Sequence, residues 1–219
     1  MTLLRQIQIA ASDSQSSIST VLLKAKILAS RLKNGEFSAW VDCELNGYPA
    51  GKEEALPPYR ILSVEAHGLF RNRSGLIWND APIMTSFLPA NLKVWGETTY
   101  IRQAISSVVS AATSAGELQV EWPQEIAIHF GAKGYNGFEC LRAWQIVSQH
   151  SLIAIVDTVR SRLIDFSLKI EAENPDAGEA LPNVTPIPKH KVQMIFNNTF
   201  HGSVGNVSQN GRKFTQTVE

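Results

Sequence analysis

Apolar residues recur every three or four positions over five stretches of the chain, a spacing that lays one face of a helix against a core. The longest stretch, Phe138–Glu173, predicts one amphipathic helix of roughly 50 Å at about 1.5 Å per residue. Asn174-Pro175 ends it, because the residue before a proline avoids the helical region. The other four stretches predict shorter helices over residues 3–11, 18–33, 36–45 and 98–115.

Between residues 59 and 79, side chains alternate between the two sides of an extended chain, and the three- or four-residue spacing of apolar residues is lost. Ile61 and Ser63 fall on one side of an extended segment, and Leu62 and Val64 fall on the other. A second short extended run follows at residues 75–78. We expect a β-hairpin or small antiparallel sheet that packs on the helices, because two isolated strands are only marginally stable.

The chain changes character after the long helix. Residues 176–190 contain three prolines and few apolar residues, which predicts an extended linker. Residues 191–219 are rich in β-branched and aromatic residues with turn residues between them, which predicts three short strands. A tail of this size cannot bury a core of its own. We therefore expect it to pair with the main domain or with other copies of the chain.

These elements predict an α+β fold, predominantly α, organised around one long C-terminal helix. The predicted domain organisation has three parts. They are a helical domain at 1–175 with a small sheet at about 59–79, a proline-rich linker at 176–190, and a β-prone tail at 191–219 that acts as an assembly arm.

Composition narrows the classes of partner. Lys plus Arg equals Asp plus Glu at 20 each, and this zero net charge disfavours nucleic acid and a polybasic membrane contact. We expect Cys43 and Cys140 to be buried free thiols in a reducing cytosol. With no signal-peptide pattern and no run of eighteen apolar residues, the prediction is a cytoplasmic protein without a membrane span.

The sequence offers little catalytic signal. It lacks the ligand spacings of zinc sites, the phosphate-binding loop and the nucleophile elbow, so we expect no metal and no cofactor and assign no catalytic residue. Arg142 and His150 are too far apart in sequence for the Arg–His arrangement of small bacterial ribonucleases. Asp157 and Arg160 lie three positions apart on the long helix, which predicts an ion pair on its surface.

The densest cluster of polar and aromatic residues lies between positions 40 and 60. Trp, Tyr and Arg side chains at a loop rim are typical of binding sites. In the alternative interpretation Trp40 and Leu45 belong to the core, the tyrosines pack the loop, and Glu44 pairs with Arg60. The cluster comprises Trp40, Asp42, Glu44, Asn46, Tyr48, Tyr59 and Arg60.

Several blocks of this sequence resemble the AbiTii family over nearly the full length. They are LASRL at 28–32, WVDCELNGYP at 40–49, LPPYR at 56–60, VDTVRSRLIDFSLKIEAENP at 156–175 and the tail NNTFHGSVGNVSQ at 197–209. The resemblance implies abortive infection, in which a bacterium limits phage spread by halting or killing itself. It carries over no catalytic residues. The candidate binding residues at motif positions are Trp40, Glu44, Asn46, Gly47, Tyr48, Tyr59 and Arg60.

Three functions agree with this sequence. The preferred one is a phage-defence interaction protein, not an enzyme, that forms a homo-oligomer through residues 191–219. The second is an effector enzyme, a nuclease or nucleotide hydrolase, that uses Asp42, Glu44, Tyr59 and Arg60. The third is a sensor that binds a phage protein, a defence partner or a small ligand, and it predicts a pocket near Trp40 and Tyr48.

Overall fold

The structure is a computed structural model that describes residues 1–51, 56–181 and 183–201. The predicted α+β class with predominant helix is confirmed, since helices hold 54% and strands 17% of the residues. The helices are α1 (Leu3–Ser12), α2 (Ile18–Leu32), α3 (Gly35–Asn46), α4 (Val94–Glu97), α5 (Ile105–Thr113), α6 (Gln124–Phe130), α7 (Gln149–Glu173) and α8 (Lys189–Phe200). The strands are β1 (Ile61–Ser63), β2 (Glu65–Asn72), β3 (Ile77–Pro82), β4 (Thr98–Tyr100), β5 (Leu118–Glu121) and β6 (Phe138–Val147).

The first three helices lie where the apolar spacing predicts them, to within one or two residues. Helix α2 ends at Lys33, which adopts the left-handed conformation at φ 54°. Asn34 then begins α3, because its side-chain oxygen accepts a hydrogen bond of 2.7 Å from the backbone N–H of Phe37. The Asn34-Gly35 pair therefore marks the end of one helix and the start of the next.

A single helical core joins α1, α2, α3, α5, α7 and α8. Phe37 of α3 packs on Phe166 of α7 with ring centroids 4.3 Å apart, and on Phe200 of α8 at 5.7 Å. Val159, at the middle of α7, is fully buried. Helix α7 therefore packs against the first three helices. The apolar spacing predicts this for the C-terminal part of the stretch Phe138–Glu173.

The larger sheet is antiparallel, with strand order β3-β2-β6-β5. The predicted hairpin is confirmed as β2–β3, whereas β1 pairs with β4 in a separate two-stranded sheet. A second apolar core forms on one face of the larger sheet around Phe70, Trp122 and Cys140, where α6 covers it. The opposite face carries Arg71, Glu139 and other exposed charged residues.

The prediction of one helix over Phe138–Glu173 is wrong for its first third, which is strand β6. Trp144 and Val147 lie on opposite faces of the strand and both are buried, so their three-residue gap imitates helical spacing. A bulge at Leu141 also interrupts the alternation of the strand. Ser148 then begins α7, and its Oγ accepts a hydrogen bond of 3.2 Å from the backbone N–H of Ser151. The predicted end at Asn174-Pro175 is confirmed.

The predicted helix over residues 98–115 is also too long. Its first residues form strand β4, whose Thr99 pairs with Leu62 of β1. Helix α5 begins only at Ile105, after a connection that carries Arg102. β-branched residues at 98 and 99 favour the strand, and the apolar stripe of the helix starts later.

The prediction of strands after residue 190 is wrong for residues 191–201, because Lys189–Phe200 forms helix α8. Val192, Ile195, Phe196 and Phe200 are buried, at the spacing of a helix rather than of a strand. The remaining part of the predicted β-prone tail, residues 202–219, lies outside the described residues. Within the predicted linker, Ala177 and Ile187 are buried in the helical core, and the division into domains stays a prediction.

The predicted ion pair between Asp157 and Arg160 is wrong. The Arg160 guanidinium donates instead to four backbone carbonyls at the connection of α1 to α2, because these carbonyls lack helical partners there. The acceptors, at 2.5 to 3.3 Å, belong to Ala10, Ala11, Asp13 and Ser16. Among the described residues, no helix is long and apolar enough to cross a membrane.

Candidate functional site

The W-x-x-x-E-L-N-G-Y-P block lies at the C-terminal half of α3 and in the loop that follows. Trp40 and Glu44 are four residues apart, so both side chains leave the inward face of the helix. Tyr59 and Arg60 reach the same place from a short 3₁₀ turn at Pro58–Arg60, just before β1. The structure therefore brings together residues that are well separated in sequence.

Glu44 is the centre of this cluster and is fully buried. Its Oε1 accepts hydrogen bonds from the hydroxyls of Tyr48 and Tyr59 at 2.7 and 2.6 Å. Arg60 donates to both oxygens of the carboxylate, from Nε at 3.1 Å and from Nη2 at 2.5 Å. The carboxylate therefore receives four hydrogen bonds, and its charge is matched by one guanidinium.

Arg60 is also fully buried, and the backbone accepts from its Nη1 donors. Its Nη1 donates to the carbonyl oxygens of Ile101 and Gln103 at 3.0 and 2.9 Å. The guanidinium lies 4.9 Å from the centroid of the Tyr48 ring. Arg60 therefore connects α3 to the segment between β4 and α5.

The electrostatic environment fixes the protonation states of the cluster. Burial raises the pKa of Tyr48 and of Tyr59 above the ordinary tyrosine value, and the neighbouring negative charge of Glu44 raises both further. Burial opposes the charge of Arg60, but the hydrogen bonds and charge of Glu44 outweigh it and raise the pKa of Arg60. At neutral pH both tyrosines are neutral donors and Arg60 is charged.

Gly47 is the residue of the block with the clearest backbone requirement. It adopts φ +96°, a conformation that L side chains rarely take. A Cβ at this position would also lie 2.9 Å from the carbonyl oxygen of Arg102, which accepts a 2.7 Å hydrogen bond from the N–H of Tyr48. Asn46, beside it, is exposed, and its Nδ2 donates to the carbonyl of Asp42 at 3.0 Å.

Trp40 joins the buried cluster to an open groove. Its indole N–H donates to the hydroxyl of Tyr59 at 3.0 Å, and its ring lies 4.4 Å from that of Phe200. The groove has a volume of about 480 Å³. It is lined by Glu36, Ala39, Trp40, Cys43, Tyr48, Leu56, Pro57, Pro58, Phe196, Phe200 and His201.

The cluster has contributions that sequence reasoning missed. Arg162 of α7 lies 4.5 Å from the Tyr59 ring centroid and donates to the carbonyl of Phe200 at 2.6 Å. Phe196 and Phe200 form one wall of the groove from α8. The four-residue spacing of these two phenylalanines is typical of a helix, but the β-branched residues around them favour the prediction of a strand.

The arrangement has no open catalytic centre among the described residues of the cluster. Glu44 and Arg60 expose 0% of their side chains, and their hydrogen-bonding groups are directed at each other and at the protein. Asp42 is accessible but pairs with Lys26 at 2.6 Å. In the described part of the chain, no group of three or more His, Cys, Asp or Glu residues could hold a metal ion.

Comparison with known proteins identifies the family. No curated protein and no solved structure matches the chain. The AbiTii family model matches residues 2–196, which include all seven candidate binding residues. This match spans nearly the whole sequence, and the chain therefore belongs to the AbiTii family.

Proposed function

We propose that this protein serves abortive-infection phage defence as a self-assembling interaction protein. Its family suggests the defence role. In this proposal, residues 40–60 stabilise the fold and carry no chemistry, and defence depends on binding between copies of the chain.

The burial of Glu44 and Arg60 is the observation that carries the proposal. A general base and a charge-stabilising arginine must reach the substrate, within about 3 Å of the reacting atoms. Both side chains are 0% exposed, and the groove beside them is bounded by Trp40 and Tyr48 rather than by the charged pair. A substrate could reach them only if α3 moved away from Arg60.

The described surface offers groups that are suited to binding another protein. Large apolar side chains are exposed along the edge strand β3 and near it, with Ile77 51% and Trp78 39% exposed. Aromatic residues line the groove at Trp40 and Tyr48. Exposed apolar patches with aromatic residues are typical of protein–protein interfaces.

The proposed assembling segment is residues 202–219. The part of the predicted arm before it, Lys189–Phe200, contributes four buried side chains to the helical core and is needed for folding. A truncation after Thr185 would remove this helix and test stability rather than assembly. A truncation after His201 keeps all described core residues.

Size-exclusion chromatography with light scattering tests the proposal on full-length protein and on the 1–201 truncation. We expect an oligomer for the full chain and a folded monomer for the truncation, whose melting temperature should not exceed that of the oligomer because association stabilises the native state. The truncation should also lose protection in a phage plaque assay. A full-length monomer that still protects against phage would contradict self-assembly.

A sensor is the second candidate function, and the groove is the observation that favours it. Its volume of about 480 Å³ lies within the range of small-molecule sites, and it is next to Trp40 and Tyr48. A sensor predicts that a purified phage protein or metabolite raises the melting temperature. Protection that survives Ala39→Arg, which should block the groove, would count against it.

A further inference from the structure

The groove beside Trp40 is lined by aromatic and proline side chains. Three of its aromatic walls, Trp40, Phe196 and Phe200, are held in one packed cluster, with Phe196 and Phe200 stacked at 4.8 Å between ring centroids. Pro57 and Pro58 form part of the remaining wall. Rigid aromatic and proline walls lose little entropy when they bind a partner, which favours such a groove as an anchor site.

The position of the groove in the chain points to its occupant. His201, the last described residue, lines the groove, and residues 202–219 follow it in the sequence. Phe214 is the only aromatic residue in that segment and lies thirteen positions after His201. Thirteen residues can reach up to roughly 40 Å, which is enough to span to a neighbouring copy.

Charge complementarity supports the same occupant. Arg212 and Lys213 directly precede Phe214. Glu36 is exposed on α3 and lines the groove at its rim. A basic pair beside an aromatic anchor therefore has an acidic side chain to meet, and such complementarity sets the orientation of docking.

We propose that the groove of one copy binds Phe214 of a second copy, with Arg212 and Lys213 against Glu36. This inference rests on the proposed self-assembly, and it names the two surfaces that would form the contact. Docking of one tail into the next groove gives a closed dimer if the exchange is reciprocal and a longer assembly if it is not.

Two full-length variants test the two surfaces separately. Phe214→Ala removes the anchor, and Ala39→Arg places a long charged side chain at an exposed groove position. Each should weaken association by about tenfold or more, as expected for a central aromatic contact. Val207→Ala is the matched control in the tail, and Ala154→Arg makes the same substitution at an exposed position of α7. Both controls should associate like wild type.

Mixing the two variants distinguishes exchange between copies from docking within one copy. Ala39→Arg keeps an intact tail, and Phe214→Ala keeps an intact groove. Light scattering of the mixture should therefore show hetero-association through one remaining contact, although each variant alone is monomeric. Equal helical content of the four variants by circular dichroism, with cooperative melting of each, would confirm that folding is unchanged.

The outcomes separate this inference from the proposed function. If wild type associates and both variants associate equally well, the groove inference is overturned and self-assembly stands. If wild type is monomeric, both are overturned. If each variant is monomeric and the mixture is too, exchange of Phe214 between copies is overturned.

Discussion

The molecule contains two sets of arginine–carboxylate pairs in opposite surroundings. Arg60 and Glu44 meet at 2.5 Å in the helical part, and both side chains are 0% exposed. On the open face of the larger sheet Arg71 and Glu139 meet at 2.6 Å, but their side chains are 50% and 57% exposed. The two pairs therefore have nearly equal N–O distances but contribute differently to stability.

Solvent explains the difference. Water competes for the exposed pair and screens it, so such a pair contributes about 0–1 kcal/mol. Water is excluded from Arg60 and Glu44, so each ion depends on its partner and on the neighbouring tyrosines and carbonyls. The buried pair therefore controls whether α3 and the turn before β1 stay together, whereas the exposed pair adds little to stability.

The largest expected effect is the loss of one buried charge. Arg60→Met leaves Glu44 buried without its counter-ion and should lower the free energy of unfolding by about 3–5 kcal/mol. Glu44→Gln/Arg60→Met should cost less than the single change, because no unpaired ion remains. Urea denaturation of Arg60→Met, Glu44→Gln and the double variant checks this. A double variant that loses the sum of the two single losses would mean that the groups act independently.

The second-largest effect is expected for Gly47→Ala. This change should lower the free energy of unfolding by about 1–3 kcal/mol, because of backbone strain and the close carbonyl of Arg102. Gly35→Ala, at the first residue of α3, is the matched control. A Cβ there meets nothing within 4 Å, so this change should leave stability equal or slightly higher. Equal stabilities of the two alanine variants, measured by thermal melting, would show that the loop tolerates a side chain.

The buried cluster should also make stability fall at alkaline pH. The pKa values of Tyr48 and Tyr59 are raised in the folded protein, so these tyrosines keep their protons while unfolded tyrosine ionises above about pH 10. Stability should then fall with rising pH by about 1.4 kcal/mol per unit for each tyrosine. Tyr48→Phe should reduce this slope between pH 10 and 11 in urea titrations. An unchanged slope would mean that Tyr48 ionises normally.

The smallest effect belongs to the sheet. Arg71→Met should change stability by at most about 1 kcal/mol, because both partners of that pair are solvated. The exposed pair of Arg142 and Glu121 serves as an independent second case. A loss as large as that of Arg60→Met would remove the distinction between the two regions.

The same two regions differ in how far sequence predicts them. Helices α1 to α3 follow from three- and four-residue spacing, because local pattern and burial agree there. Strand β6 and helix α8 do not. Strand β6 is buried on both faces near Trp144 and Val147, which gives it helical spacing, and β-branched residues in α8 mask a buried face that only tertiary packing defines.

The sequence identifies which residues belong to the candidate site, but it does not predict how their side chains are arranged or buried. The motif spacing brings Trp40 and Glu44 to one face of α3, and this follows from helical periodicity. The surroundings of the pair include the carbonyl of Ile101 on Arg60, Arg162 on the Tyr59 ring and Phe200 on the Trp40 ring, and these three residues come from distant segments. Sequence alone therefore leaves a binding cluster and a buried ion pair as alternatives.

A plaque assay with the Glu44→Gln/Arg60→Met variant tests most directly the claim that the buried cluster stabilises the fold and carries no chemistry. Alanine at either position would remove one ion of the buried pair, so loss of defence there could report unfolding alone. The double variant has no charge at either position and keeps an amide oxygen for the tyrosine hydroxyls. We predict that this variant, once shown to be folded by its melting curve, protects against phage as well as wild type. A folded double variant without protection would contradict the account.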